Sequence, residues 1–81
     1  MNVEMELKKM ITNMIQNGNV DEIDADTNLM TDYGFDSIML VQLIVDIEEK
    51  FDFVFPDEYT TVDVLSKFSN LVQIINEYKN K

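Results

Sequence analysis

The chain has 81 residues, with sixteen acidic residues, six lysines and no arginine, which gives a formal net charge of −10. This charge disfavours nucleic acid and anionic membranes as partners and favours basic protein surfaces. Cysteine and histidine are absent, which excludes disulfides, thiolate metal sites and the commonest general base. A hydrophobic content of 46% with clear periodicity predicts one folded domain over 1–81, which we expect to be cytoplasmic.

The first predicted element is an amphipathic helix over about 3–17. Its apolar residues recur at helical spacing, and Gly18 suits a position just past its end. A polar connection over 18–36 follows, and a connection of this length is usually functional or pinned to the core. The apolar stripe of the helix consists of Val3, Leu7, Met10, Ile11 and Met14.

A second helix is predicted over about 37–51, and its apolar residues fall into two sets. The set expected to face the core consists of Leu40, Leu43, Ile44, Ile47 and Phe51. A separate strip begins next to Ser37 and consists of Ile38, Val41 and Val45. Either a short third segment covers this strip, or part of it stays exposed as a docking surface rimmed by Glu48 and Glu49.

The rest of the chain predicts two further elements. The stretch FDFVF over 51–55 reads as an extended turn, since it is short and has no second strand to pair with. A short helical turn is predicted over about 57–60, and a last helix over about 62–78. The fold class is therefore all-α: a small four-helix bundle of three main helices and one short helix.

Ser37 directly follows Asp36 at the start of the second helix, which leaves two interpretations open. Either residue can be the N-cap. A helix N-terminus also favours a phosphate by about 0.3–1 kcal/mol, so attachment of an anionic group to Ser37 is the alternative. Ser-His-Asp catalysis needs a histidine, and 24–35 has Leu29 and Phe35 where a calcium loop has its glycine and its glutamate. We therefore expect neither enzymatic activity nor a metal site.

The stretch YGFDSI over 33–38 resembles the Leu-Gly-x-Asp-Ser-Leu signature of the acyl carrier protein family. The resemblance continues upstream in Thr-Asn-Leu at 27–29. Downstream it continues in the V-x-L and E-E-x-F positions of 41–51 and in Phe-Pro-Asp-Glu at 55–58. It covers essentially the whole chain.

This resemblance implies a four-helix bundle that carries 4′-phosphopantetheine, taken from coenzyme A, as a phosphodiester on Ser37. A phosphopantetheinyl transferase attaches the group, and Asp36 takes part in its recognition. The chain is then a stand-alone, monomeric carrier of acyl thioesters in fatty acid or polyketide-type biosynthesis, and not an enzyme. Its implied partners are acyl-transferring, acyl-activating or ketosynthase enzymes with basic docking surfaces. Nucleic acid and membranes are not implied as partners. The residues expected to contact those partners are Ile38, Val41, Val45, Glu48 and Glu49.

Two alternatives stay open beside this hypothesis. An aminoacyl or peptidyl carrier of a nonribosomal peptide or D-alanyl transfer pathway shares the bundle and the modified serine. An acidic protein-interaction domain without a prosthetic group has the same charge and an unmodified serine. Met39 and Gln42 stand where fatty-acid carriers are commonly acidic, which favours a specialised pathway.

Overall fold

The regular structure of the protein is helical, as the sequence predicts. A computed structural model describes residues 2–15 and 22–79. In these ranges it has five α-helices, and a 3-10 turn at Asp57–Tyr59. The helices are α1 (Val3–Ile15), α2 (Leu29–Tyr33), α3 (Ser37–Phe51), α4 (Val62–Leu65) and α5 (Phe68–Tyr78).

One apolar core joins the three long helices, because α1 contacts both α3 and α5. The five residues of α3 predicted to face the core, from Leu40 to Phe51, are all buried. Burying each large apolar side chain contributes about 1.5–3 kcal/mol, so this stripe sets the rotation of α3 and turns its other face to solvent. The core residues of the other two helices are Val3, Leu7, Ile11, Phe68, Leu71, Ile74 and Ile75.

The predicted loop over 18–36 differs from the structure, because it contains the short helix α2. Asn28 caps this helix, and its side-chain oxygen accepts two backbone N–H groups at 2.9 and 3.1 Å. The Asp32 carboxylate accepts the Asn28 N–H at 2.9 Å. Gly34 ends the helix with φ 72°, a left-handed conformation that glycine adopts readily. Buried Leu29 ties this segment to the core.

The last predicted helix, over about 62–78, is two helices in the structure. The chain leaves the helical path between α4 and α5 because its backbone pairs there with the segment before α2. The Leu29 N–H donates to the Ser66 carbonyl at 2.7 Å, and the Phe68 N–H donates to the Thr27 carbonyl at 3.1 Å. This antiparallel bridge joins the loop before α2 to the C-terminal helices.

The remaining helix bounds lie close to the predicted ones. α3 spans Ser37–Phe51, the range over which the sequence predicts the second helix, and a 3-10 turn occupies Asp57–Tyr59 within the predicted 57–60. The predicted end of the first helix near Gly18 lies outside the described residues. No helix in the described ranges is long and apolar enough to cross a membrane.

Candidate functional site

Ser37 is the first residue of α3, and its side chain is exposed. The N-cap is the preceding residue, Asp36, whose Oδ1 accepts the Met39 N–H at 2.8 Å. The Asp36 carbonyl accepts the Leu40 N–H at 3.0 Å. One side-chain oxygen is enough to cap a helix, so the Ser37 hydroxyl is not needed for that purpose. The structure therefore gives the capping role to Asp36.

Two neighbouring residues hold the start of α3 against the bundle. Phe35 is 2% exposed and its N–H donates to the Leu29 carbonyl at 3.1 Å. Gly34 donates to the Met30 carbonyl at 3.1 Å and turns the chain through its left-handed conformation. Because these contacts fix the backbone within three residues of Ser37, the hydroxyl is presented at a defined place on the surface.

The start of α3 combines backbone N–H donors with a negatively charged neighbourhood. The N–H groups of Ser37 and Ile38 belong to the first helical turn and have no acceptor within the helix. No acidic residue lies in that turn. Upstream, burial raises the pKa of Tyr33 above its ordinary value, and the carboxylates of Glu22 and Asp32 raise it further. The start of α3 therefore offers N–H donors to an anion, while the wider surface attracts cations.

The separate apolar strip on α3 is exposed. Ile38, Val41 and Val45 expose 69%, 59% and 45% of their surface, so no described segment covers them. Val54, just beyond α3, is 79% exposed. Since the other face of α3 is held in the core, the strip runs along the surface from the residue next to Ser37 towards the end of the helix.

The two glutamates predicted to rim this strip have different surroundings. Glu49 is exposed. Glu48 is half-buried, and its Oε2 accepts the Phe55 N–H at 2.8 Å. Its carbonyl also accepts the Asp52 N–H at 2.9 Å. Glu49 is therefore fully available to a partner, whereas Glu48 also holds the segment that follows α3.

Met14 and Asp46 also border the strip, and neither is among the site residues that the sequence predicts. A cleft of about 370 Å³ beside the strip is lined by both, together with Val41, Gln42 and Val45. Met14 was predicted to be a core residue of α1, and the structure has it half-buried at the edge of the core. Spacing along α1 alone cannot reveal this position, because it depends on how α1 crosses α3.

Comparison with known proteins shows the family to which the chain belongs. The family described as "Phosphopantetheine attachment site" matches residues 11–76. An acyl carrier protein of Desulforapulum autotrophicum is 36% identical over 58 residues, covering 72% of this chain and 75% of the relative. An acyl carrier protein of Rickettsia bellii is 32% identical over 79 residues, covering 98% and 88%. One of Buchnera aphidicola is 35% identical over 80 residues, covering 99% and 96%.

The helical fold and the match over residues 11–76 define a carrier domain for a phosphopantetheine group. With relatives above 30% identity over nearly its full length, the chain belongs to the acyl carrier protein family. It is an acyl carrier with a covalent 4′-phosphopantetheine group, and it is acted on by enzymes rather than being one. Members of this family interact with biosynthetic enzymes and with a phosphopantetheinyl transferase.

Proposed function

We propose that Ser37 is the residue that carries 4′-phosphopantetheine, as a phosphodiester transferred from coenzyme A in the presence of Mg²⁺. The observation that carries this proposal is the exposed Ser37 hydroxyl at the first position of α3, with the capping role taken by Asp36. The donors at the site fit the group, because the first helical N–H groups favour an anion there. When bound, the group supplies a thiol that carries acyl chains as thioesters, which a chain without cysteine cannot provide.

The exposed strip of α3 is the docking surface for the enzymes that act on this carrier. Ile38, Val41 and Val45 supply the apolar contact, and Glu49 supplies charge at its rim. A net charge of −10 speeds the encounter with basic enzyme surfaces and keeps two copies of the chain apart. The protein is accordingly a cytoplasmic monomer that transfers acyl groups between enzymes of fatty acid or polyketide-type biosynthesis.

The attachment site is tested by intact-mass spectrometry after incubation with coenzyme A, Mg²⁺ and a broad-specificity phosphopantetheinyl transferase. Wild type gains one phosphopantetheinyl group, and Ser37→Ala gains none. Ser69→Ala, at an exposed serine of α5, is the matched control and is modified like wild type. Because Asp36 caps α3, Ser37→Ala keeps the helical circular dichroism spectrum. Modification of Ser37→Ala refutes the assignment, and failure of wild type with several transferases refutes the carrier role.

The docking surface is tested by reversing one charge. Glu49→Lys lowers the initial rate of modification several-fold at low salt, with a smaller effect at high salt, because screening weakens exposed charge pairs. Glu77→Lys changes the net charge equally on α5, away from the strip, and retains most of the rate. Equal effects of the two variants would show that only net charge matters and that this surface is not the docking surface.

A further inference from the structure

A shallow groove between α1 and α3 continues from the exposed strip. It consists of two adjoining clefts that share Met14 and Asp46. One cleft, of about 370 Å³, also touches Val41 and Val45 of the strip. The other, of about 450 Å³, extends to Met10 and Glu49. We call the surface formed by Met10, Met14, Val41, Val45, Asp46, Glu49 and Lys50 the α1–α3 groove.

The chemistry of the α1–α3 groove selects an occupant that is both apolar and cationic. Methionine is unbranched and flexible, so Met10 and Met14 can adapt to an inserted apolar side chain. The carboxylates of the groove are Asp46 and Glu49, and both are exposed. In the described part of the chain neither belongs to an ion pair, and Lys50, which also lines the groove, pairs with Glu6 at 3.4 Å. An arriving lysine or arginine therefore finds two carboxylates that have no ion-pair partner of their own, beside one lysine whose charge is paired with Glu6.

The groove lies within reach of any enzyme that covers Ser37. Val45 is eight residues further along α3, which is about 12 Å along the helix axis at 1.5 Å per residue. A standard interface buries about 800 Å² on each partner, equivalent to a disc of about 16 Å radius. A second copy of this chain is disfavoured as the occupant, because each copy carries a charge of −10.

We propose that the α1–α3 groove binds the phosphopantetheinyl transferase, through an apolar side chain of the enzyme flanked by lysine or arginine. This proposal rests on the proposed function, in which the transferase modifies Ser37. It adds α1 to the recognition surface and gives Met14 and Asp46 a role in affinity. Neither residue touches the reacting hydroxyl, so their replacement changes binding of the carrier and not the chemical step.

The apolar part is tested by transferase kinetics on the intact apo-protein. Met14→Gln raises the KM for the carrier at least about 5-fold, the effect of losing one strong interface contact, with kcat within about 2-fold. Met14→Leu keeps the apolar contact and retains the KM of wild type. Met5→Gln, on α1 outside the groove, is the matched control. Thermal unfolding of all variants shows whether any change in KM comes from loss of the fold.

The charged part is tested with two double variants that remove the same charge. Asp46→Asn with Glu49→Gln raises the KM and makes the rate less sensitive to salt. Glu58→Gln with Glu77→Gln replaces exposed residues outside the groove. This double variant changes the KM and the salt sensitivity of the rate by less than half as much.

Two results would overturn the proposal. One is an unchanged KM for Met14→Gln, and the other is equal effects of the two double variants. An unchanged KM together with a concentration-dependent dimer in sedimentation that Met14→Gln abolishes would assign the groove to a second copy of the chain. In each case wild type is still modified at Ser37. Failure of wild type to be modified instead refutes the proposed function itself.

Discussion

Removing the Glu48 side chain is expected to loosen the segment that follows α3. The Glu48 carboxylate accepts the Phe55 N–H at 2.8 Å, and Phe55 is 3% exposed. The Phe55 ring also contacts Phe53, with centroids 5.1 Å apart, and Phe53 stacks on Tyr78 at 6.3 Å. In Glu48→Ala the Phe55 N–H loses its acceptor, and the link between α3 and this aromatic cluster is weakened.

The size of the loss follows from the contact. A hydrogen bond to a charged group contributes about 1.5–3 kcal/mol, and the half-buried position of Glu48 reduces this. Alanine is the better helix former, which offsets this loss of stability by up to about 0.7 kcal/mol. The net loss is about 1–2 kcal/mol, which lowers Tm by about 5–15 °C in a domain of this size. Glu49→Ala makes the same change in charge and helix propensity at an exposed position, and its stability stays within about 0.5 kcal/mol.

The assay is thermal and urea unfolding of both variants, followed by far-ultraviolet circular dichroism, with amide hydrogen exchange at Phe55. In Glu48→Ala the Phe55 amide exchanges faster, and in Glu49→Ala it exchanges at the wild-type rate. If the two variants have the same stability and the Phe55 amide is equally protected in both, the structural role of Glu48 is refuted. Glu48 would then act, like Glu49, only as a charged residue at the rim of the docking surface.

Five further substitutions, at four positions, test the geometry of α3 and of the turn before it. Leu43 is fully buried and Val41 is 59% exposed, so Leu43→Ala lowers the unfolding free energy by about 2–5 kcal/mol and Val41→Ala by less than about 0.5 kcal/mol. Equal losses in urea denaturation would contradict the two faces of α3. In Gly34→Ala the added Cβ enters open space, but the residue must keep a φ of 72°. Urea denaturation is therefore expected to show a loss of about 1–2 kcal/mol of unfolding free energy from backbone strain alone. An unchanged stability would contradict the left-handed turn. Asp36→Ala loses about 0.5–2 kcal/mol in the same assay, and Asp36→Asn, which keeps a capping oxygen, loses less; equal losses would contradict the cap.

The second helix could be predicted from the sequence because its signals are local. An aspartate before the first helical residue, an apolar stripe at helical spacing and a change of pattern after Phe51 are all visible along the chain. The helical spacing of the apolar residues also separates the core stripe from the strip of Ile38, Val41 and Val45. Whether a further segment covers that strip depends on the tertiary fold, and only the structure shows these three side chains exposed.

The features that the sequence could not give depend on contacts between distant segments. The break between α4 and α5 arises from backbone pairing of Ser66 and Phe68 with 27–29, about forty residues earlier, and no local signal marks it. The different roles of Glu48 and Glu49 likewise depend on where Phe55 returns to α3. For α2, the local signals were present in Asn28 and Gly34, but five residues are too few for a recognisable apolar period.

Attachment of the prosthetic group at Ser37 can be verified by locating the group on the modified wild-type protein. Trypsin cuts after lysine and releases residues 10–50 as one peptide, in which Ser37 is the only serine. Tandem mass spectrometry of this peptide distinguishes Ser37 from Thr31, the nearest threonine. We expect one phosphopantetheinyl group, carried by the fragments that contain Ser37. A group located on Thr31, on another residue of this peptide, or on a different peptide would contradict it.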